Sequence, residues 1–236
     1  RSRGLGDVYK RQANIKLVGS HSGVSLAADG PSQMGLCDLA FMRSFARSTR
    51  PDGQPAIQVF CPSDAVSAFK LTELAANING LCYIRTHRPD VAFIYDENET
   101  FEPGGFKHLI DGEDICIVAS GYMVHLAKQA CKLLEDAGLS ASLVDAYAMP
   151  LNTEEILRIG DDCRGQILVV EDNYAGAFGD EIAAAAACSD LGVTVKCMHV
   201  KRVPKSAKTP EDIIKMVGLT PAEIAKTAQQ MFDKSE

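Results

Sequence analysis

The sequence predicts an α/β fold in which a mainly parallel sheet is covered by helices on both faces. Short apolar runs of strand length alternate with longer segments of helical periodicity, and strands that alternate with helices form parallel sheets. The 236 residues are 46% hydrophobic and 23% charged, which is typical of a globular chain that buries a full core. The pattern breaks at 96–107, where acidic residues, Pro103 and a glycine pair predict a linker between two blocks.

The first block, residues 13–95, begins with an apolar strand that runs into a loop rich in Ser and Gly. Two further apolar runs are bounded by residues that end strands, and Pro62 precedes a helical segment. The predicted elements are strands at 15–19, 57–60 and 81–85 and helices at 33–44 and 63–76. A parallel sheet made only of these strands has an open edge, which is expected if further strands precede residue 13 in the natural protein.

The second block, residues 108–236, shows the alternation more clearly. Its first helix places Val124, Ala127, Ala130 and Leu134 on one face, and Thr-Pro pairs at 209–210 and 220–221 supply an N-cap and a first-turn proline to two closing helices. The predicted strands are at 115–120, 142–147, 166–170 and 193–200, and the predicted helices are at 123–137, after 152–155, and at 180–188, 210–217 and 221–232. Four parallel strands with these helices form a three-layer domain.

Charge and cysteine content exclude several classes of protein. The 24 Lys and Arg against 31 Asp and Glu give a net charge of −7, so the overall field repels nucleic acid. No apolar stretch reaches the roughly 20 residues that cross a bilayer, so we expect no membrane span. The eight cysteines are scattered without a C-x-x-C pair, which argues against a zinc or redox site and favours the reducing cytoplasm.

Residues 1–12 differ from everything that follows. They carry four cations and one anion, and no apolar segment follows them as it would in a signal peptide. The string GLGDVYKRQ is similar to a translated sequencing adapter, so we expect a non-native leader and natural sequence from about Ala13. Without the leader the net charge is −10.

The loop at 19–33, GSHSGVSLAADGPSQ, is the richest in groups that could act on a ligand. It directly follows a strand, and ligands of α/β sheets bind at the carboxyl ends of strands. His21 could transfer a proton or donate a hydrogen bond to an oxygen, but it could equally close the loop. A Ser-His-Asp hydrolase triad drawn from this loop is not favoured, because His occupies the middle of G-x-x-x-G where a nucleophile elbow has Ser.

Two other strand ends carry charged groups. Arg85 ends the third strand, and His87 and Arg88 follow it. The two guanidinium groups could clamp a phosphate, although Arg side chains more often pair with carboxylates or point into solvent. The turn at 171–180, EDNYAGAFGD, could offer backbone N–H groups to an anion. Its acidic residues oppose a phosphate, so we interpret this turn as structural.

Five motifs in order identify a resemblance: GSHSGVSLAADGPSQMGLCDLAFMRS, PSD after Phe60, ELAANINGLCYIRTHRP, LVVEDNYAGAFGDEI and VKRVPKS. From about residue 14 to 232 the chain resembles transketolase, in its animal-like branch. The resemblance implies the C-terminal part of the pyrimidine-binding domain of a thiamine diphosphate enzyme at 13–95, a linker at 96–107 and the complete C-terminal domain at 108–236.

The resemblance also implies roles for single residues. His21 matches the histidine that contacts the sugar substrate and could transfer a proton, Asp29 the aspartate that holds a substrate hydroxyl, and Arg88 the arginine that binds the sugar phosphate. Gln33 matches a glutamine near the cofactor. The family reaction moves a two-carbon ketol unit from a ketose phosphate to an aldose phosphate with thiamine diphosphate and Mg²⁺, in a homodimer.

Two parts of the family pattern have no counterpart in this sequence: the Gly-Asp-Gly-to-Asn motif that holds Mg²⁺ and the diphosphate, and the glutamate that activates the pyrimidine ring. We therefore expect the 236-residue chain to be inactive alone, as a C-terminal fragment of a longer enzyme. Alternatives are the C-terminal subunit of a split transketolase, or a relative of 1-deoxyxylulose 5-phosphate synthase or of a 2-oxoacid dehydrogenase beta subunit. The second block could serve only for assembly, because it lacks convergent polar residues.

Overall fold

The computed structural model describes residues 14–235, so the leader predicted at 1–12 lies outside the described residues. The described strands are β1 (Ile15–Gly19), β2 (Ile57–Phe60), β3 (Leu81–Arg85), β4 (Lys107–Ile110), β5 (Ile115–Ala119), β6 (Ala141–Asp145), β7 (Ala148–Met149), β8 (Gln166–Val170) and β9 (Thr194–Met198). The helices are α1 (Asp38–Ala46), α2 (Ala65–Asn77), α3 (Tyr122–Asp136), α4 (Thr153–Asp162), α5 (Phe178–Ala187), α6 (Pro210–Val217) and α7 (Pro221–Ser235). The α/β prediction is confirmed.

The first unit, residues 14–95, is built on the sheet β1-β3-β2-β7. Strands β1, β3 and β2 are parallel, and Gly19 at the end of β1 lies opposite Arg85 at the end of β3. The two-residue strand β7 comes from the second unit and pairs antiparallel with β2. The three strands β1, β2 and β3 have the bounds that the sequence predicts.

The second unit, residues 107–235, contains the sheet β4-β6-β5-β8-β9. Strands β6, β5, β8 and β9 are parallel, as predicted, and β4 adds an antiparallel edge to β6. Helices α3 and α7 cover one face of this sheet, and α4 and α5 cover the other. Between the two units, residues 96–106 form neither helix nor strand.

The predicted helix at 33–44 starts later than expected. Pro31–Gln33 forms a single 3₁₀ turn, and α1 begins only at Asp38. The reason is that the backbone at Gly35 leaves the helical path to pair with Ser22, forming an isolated parallel bridge. This deviation brings the residues after the 3₁₀ turn back against the loop that follows β1.

The apolar core continues from the second unit into the loop after β1. Val24, Ala27, Met34 and Leu36 are buried in the same cluster as residues of α3, α7 and β5. Burial of apolar side chains is the main stabilising contribution to such a contact. The loop with the candidate site residues is therefore anchored on the second unit, although it belongs to the first.

Candidate active site

The candidate site lies where three strands of the first sheet end. Because β1, β2 and β3 are parallel, their carboxyl ends share one edge of the sheet. The segments that follow them, 20–37, 61–64 and 86–91, meet at this edge. Ligands of α/β folds bind at such an edge, so the fold delivers the candidate residues to the expected place.

Backbone pairing joins the segment of His21 to that of Arg88. The amide of Ser22 donates to the carbonyl of Thr86 at 3.0 Å, which extends the β1–β3 ladder beyond its last residues. The hydroxyl of Ser25 donates to Ser22 O at 2.6 Å and accepts from the amide of Arg88 at 3.3 Å. Hydrogen bonds of two buried residues, Ser22 and Ser25, thus hold the two segments in a fixed relation.

His21 occupies an unusual backbone conformation at the tip of this loop. Its φ is +60°, in the left-handed region that a non-glycine residue rarely adopts. The side chain is exposed, and its Nδ1 lies 3.0 Å from the hydroxyl oxygen of Ser20. An imidazole with one nitrogen fixed by a neighbour leaves the other nitrogen free to donate or accept a proton.

Asp29 and Gln33 lie on the following turn, and both side chains are exposed. The amide of Gln33 donates to the carbonyl of Gly30 at 3.1 Å, which closes the 3₁₀ turn. From outside, the amide of Ala207 in the second unit donates to Ala27 O at 3.0 Å. The turn is therefore supported on both sides while its two polar side chains point into solvent.

Gly35 links this turn to the His21 loop, since its carbonyl accepts from the amide of Gly23 at 2.9 Å. Backbone contacts thus connect the segments of all four sequence-predicted residues, His21, Asp29, Gln33 and Arg88. Within residues 14–235 no hydrogen bond or ion pair joins their side chains directly. Each of the four side chains is exposed.

A cavity of about 290 Å³ lies beside Arg88, lined also by Asp64, Thr86 and His87. Asp64 caps α2 and also accepts from the backbone amides of the segment after the cavity, Ile94 at 2.7 Å and Tyr95 at 3.0 Å. Burial raises the pKa of Asp64, but these hydrogen bonds outweigh it and hold the pKa below 3.8. The carboxylate thus stays charged and fixes this wall of the cavity.

His87 also lines this cavity. The sequence pointed to it only beside Arg85 and Arg88, as part of a possible phosphate clamp. Its Nδ1 is buried and has no hydrogen-bond partner among the described residues, and its ring packs near Tyr122 with centroids 5.9 Å apart. Burial lowers its pKa, so the ring is held neutral more readily than a free histidine. Nothing in the sequence distinguishes it from an exposed histidine, because its burial depends on α3 of the second unit.

Arg85 is not available to clamp a phosphate. It is buried, and its guanidinium donates to Asp38 Oδ2 at 3.0 Å and to Asp172 Oδ1 at 2.9 Å. Burial alone lowers its pKa, but the charges of Asp172 and Asp38 raise it overall, so the group stays protonated. Arg85 therefore pairs with carboxylates, which was the second interpretation that the sequence allowed. Arg88 is the exposed cation of this motif.

The turn at 171–180 is structural, as interpreted from the sequence. Glu171 accepts from the amides of Phe178 at 2.9 Å and Gly179 at 3.2 Å, so a carboxylate occupies the N-terminus of α5 where an anion would bind. Burial raises the pKa of Glu171 to about 7, and these hydrogen bonds limit the rise. No backbone N–H cradle is left open for a phosphate at these two amides.

Two features of residues 14–235 bear on the class of protein. None of the described helices is both long and apolar enough to span a bilayer. The described His, Cys, Asp and Glu side chains form no group of three or more arranged to hold a metal ion.

Comparisons with known families match both units. The model of "Transketolase, pyrimidine binding domain" matches residues 5–92, and that of "Transketolase, C-terminal domain" matches residues 104–224. The chain is 39% identical over 228 residues to the transketolase of Homo sapiens and 37% identical over 227 residues to transketolase-like protein 1 of Bos taurus. These alignments cover 95% and 94% of this chain but only 35% and 36% of the two relatives.

Solved structures with the same fold include a split gene transketolase described as an inactive beta4 tetramer. Its TM-score is 0.81 at 27% identity, and the match covers 97% of this chain and 70% of that chain. A transketolase of Pichia stipitis in complex with sedoheptulose-7-phosphate gives a TM-score of 0.74 at 23% identity and covers 96% of this chain and 31% of that one. The second likeness supports the fold alone.

Proposed function

The chain belongs to the transketolase family, and on that premise we propose that it forms the sugar-phosphate-binding part of an enzyme that transfers a two-carbon ketol unit from a ketose phosphate to an aldose phosphate. One observation carries the assignment to this site: hydrogen bonds of the buried residues Ser22 and Ser25 join the loop of His21 to the segment of Arg88. A donor for sugar oxygens and a cation for the phosphate are thus presented at one sheet edge.

Arg88 binds the phosphate in this proposal. Its side chain is exposed beside the cavity and makes no ion pair within the described part of the chain. A guanidinium can contact two phosphate oxygens at once, in geometry that an ammonium group cannot copy. The fixed amide of Arg88 limits where this cation can lie.

His21 and Asp29 orient the sugar. A neutral His21 can donate to a carbonyl or hydroxyl oxygen and can transfer a proton at its free ring nitrogen, while the carboxylate of Asp29 accepts from a hydroxyl group. Both side chains are exposed, and the hydrogen bond of His21 with Ser20 occupies only one of its ring nitrogens. The proposed domains are the C-terminal part of a pyrimidine-binding domain at 13–95, a linker at 96–107 and a C-terminal domain at 108–236.

The family cofactors fit the described residues only in part. Thiamine diphosphate supplies an ylid that stabilises the carbanion of the transferred unit. Gln33 offers an exposed amide that can both donate and accept, which suits a position near that cofactor. The described residues contain no cluster of His, Cys, Asp and Glu that fits Mg²⁺ with a diphosphate.

We propose that Mg²⁺ and the diphosphate are bound by another stretch of polypeptide and that the 236-residue chain alone is inactive. Support comes from the relatives, of which this chain spans about a third, and from the split gene neighbour, which is described as inactive. In this proposal that stretch belongs either to the same polypeptide or to a separate subunit. The complete enzyme is proposed to be a cytoplasmic homodimer; all eight cysteines are free thiols, as a reducing compartment allows.

The site is tested by NMR titration of the 236-residue chain with ribose 5-phosphate. We expect shifts of the His21 ring and the Arg88 amide, and we expect Arg88→Ala to weaken binding about tenfold or more because a charge-assisted contact is lost. Arg158→Ala is the matched control, since Arg158 is exposed on α4 and pairs with Glu154. Shifts confined to other surfaces would contradict the assignment.

Activity is tested separately. The purified chain with thiamine diphosphate, Mg²⁺, xylulose 5-phosphate and ribose 5-phosphate is expected to form no sedoheptulose 7-phosphate. Ketol transfer by the chain alone would show that the proposal of inactivity is wrong, whatever the titration gives.

A further inference from the structure

The buried guanidinium of Arg85 joins three separate parts of the chain. It contacts Asp38 at the start of α1, Asp172 after β8 of the second unit, and the carbonyl of Gly35, the last at 3.3 Å from Nη2. Tyr83 also donates to Asp38 Oδ2, at 2.8 Å. The side chains of Tyr83, Arg85, Asp38 and Asp172 form the Arg85 cluster, which contacts the segment of the candidate site at Gly35.

The cluster touches the two site loops through their backbones. Gly35 O accepts from Arg85 and from the amide of Gly23 at the same time. Gly23 lies against the carboxylate of Asp172 so closely that a Cβ there would be 1.9 Å from Oδ2. The loop of His21 therefore rests on a carboxylate supplied by the second unit.

The charges of the Arg85 cluster do not balance, so the cluster is expected to add little to the free energy of unfolding. Two carboxylates face one guanidinium, and two of their buried oxygens, Asp38 Oδ1 and Asp172 Oδ2, have no hydrogen-bond partner among the described residues. A well-packed apolar group often stabilises as much as a buried ion pair of this kind. What the ion pairs supply is fixed direction, since the guanidinium fork determines where each acceptor lies.

We propose that Arg85 and Asp172 are positioning residues for the sugar-phosphate site, which seat Gly23 and Gly35 and through them fix the loops of His21 and Gln33. The inference rests on the proposed function for its consequence in binding. It gives the second unit a part in the site although that unit supplies none of the four side chains expected to touch ligand.

The loop is tested by hydrogen exchange on the full 236-residue chain. In Asp172→Asn and Arg85→Lys we expect the Ser22 and Gly23 amides to exchange about tenfold faster or more, with β5 amides within about twofold of wild type. Lysine keeps the charge of Arg85 but cannot reach three acceptors together. The controls are Arg158→Lys and Glu154→Gln, which alter an exposed ion pair on α4.

Binding affinity is a second measurement. General destabilisation would not produce the difference between two ligands that we expect. Asp172→Asn is expected to weaken ribose 5-phosphate about tenfold while changing the affinity for inorganic phosphate less than about twofold. The reason is that the Arg88 side chain lies on the segment after β3, whereas the sugar contacts depend on the loop of His21. If a single variant does not fold, the triple variant Asp38→Asn, Arg85→Gln and Asp172→Asn removes all three charges of the cluster and takes its place.

The outcomes separate the two proposals. Unchanged exchange at Ser22 and Gly23, or faster exchange spread equally over β5, overturns the positioning role. Equal weakening of ribose 5-phosphate and phosphate also overturns it. If the wild-type chain binds no ribose 5-phosphate at His21 and Arg88, the proposed function of the site fails, and the exchange result alone then decides whether the cluster holds the loop.

Discussion

Asp145, the last residue of β6, accepts a hydrogen bond of 2.5 Å from the hydroxyl of Ser63, which precedes α2 in the other unit. Tyr95 donates to the same carboxylate oxygen, also at 2.5 Å, and Oδ1 has no partner among the described residues. Burial raises the pKa of Asp145 to about 7, with a smaller contribution from the nearby Asp64, while the two hydroxyl donors lower it. A carboxyl group that titrates near neutrality thus lies between the two units.

We predict that this group makes stability depend on pH. Because the folded pKa of about 7 exceeds the unfolded value of 3.8, the folded state binds the proton more tightly, so the free energy of unfolding falls as pH rises between these values. Asp145→Asn is expected to remove roughly 2 to 3 kcal/mol of the decline between pH 5 and pH 8. Urea unfolding at several pH values measures it.

The control for this prediction is Asp136→Asn, which changes an exposed carboxylate at the end of α3. Some decline persists in Asp145→Asn, since burial also raises the pKa of Glu171 to about 7. Curves for Asp145→Asn and wild type that run parallel from pH 5 to pH 8 would show that Asp145 does not titrate in this range.

A second prediction concerns the close approach of Gly23 to Asp172. Gly23 and Gly53 both have positive φ, +61° and +80°, but a Cβ at Gly53 would meet nothing within 4 Å. Gly53→Ala is therefore expected to cost about 1 kcal/mol from backbone strain alone. Gly23→Ala adds a clash with the carboxylate and is expected to cost a further 1 to 3 kcal/mol, roughly the cost of overpacking.

Denaturant unfolding of both alanine variants measures this difference, with a loss of the His21 response to ribose 5-phosphate expected in Gly23→Ala only. Equal destabilisation of the two variants would mean that the loop can move away from Asp172 without cost.

A third prediction tests packing in the second unit. A Cβ at Gly112 would lie 2.3 Å from the carbonyl carbon of Ala141 and 2.4 Å from the amide nitrogen of Ser142, both backbone atoms at the start of β6. Gly112→Ala must displace a strand and is expected to lower the free energy of unfolding by about 2 to 3 kcal/mol. At Gly192, where nothing lies within 4 Å, alanine is expected to change it by less than about 0.5 kcal/mol.

Thermal and urea unfolding of these two variants give the comparison. A Gly112→Ala protein as stable as Gly192→Ala would show that the β6 backbone yields easily at this point.

Local sequence was enough to predict the strands that lie inside the sheets. Strands such as Ile57–Phe60 and Gln166–Val170 are short apolar runs bounded by residues that end strands, and their bounds match the predictions. Strand Lys107–Ile110 was missed because it begins with two polar residues, Lys107 and His108, at the end of the predicted linker. Strand Ala148–Met149 was missed because two residues become a strand only when β2 lies alongside.

The sequence predicted where the site lies, but it did not predict the contacts that depend on the tertiary structure. A polar loop after a strand indicates the edge of the sheet at which His21 lies, and this needs no knowledge of the second unit. The partners of Arg85 could not be predicted, since Asp172 is 87 positions away and meets it only after both units have folded. For the same reason the burial of His87 against Tyr122 leaves no local signal.

Because β7 pairs with β2, the first folded unit is not one continuous stretch of sequence. Phe60, Tyr147 and Ala148 share one buried cluster, so the first sheet is finished by residues that follow the linker. Cutting the chain at the exposed residues 97–98 would leave two pieces that still hold each other. Residues 14–95 produced alone would lack the strand that covers β2 and would expose both its edge and Phe60 to other chains.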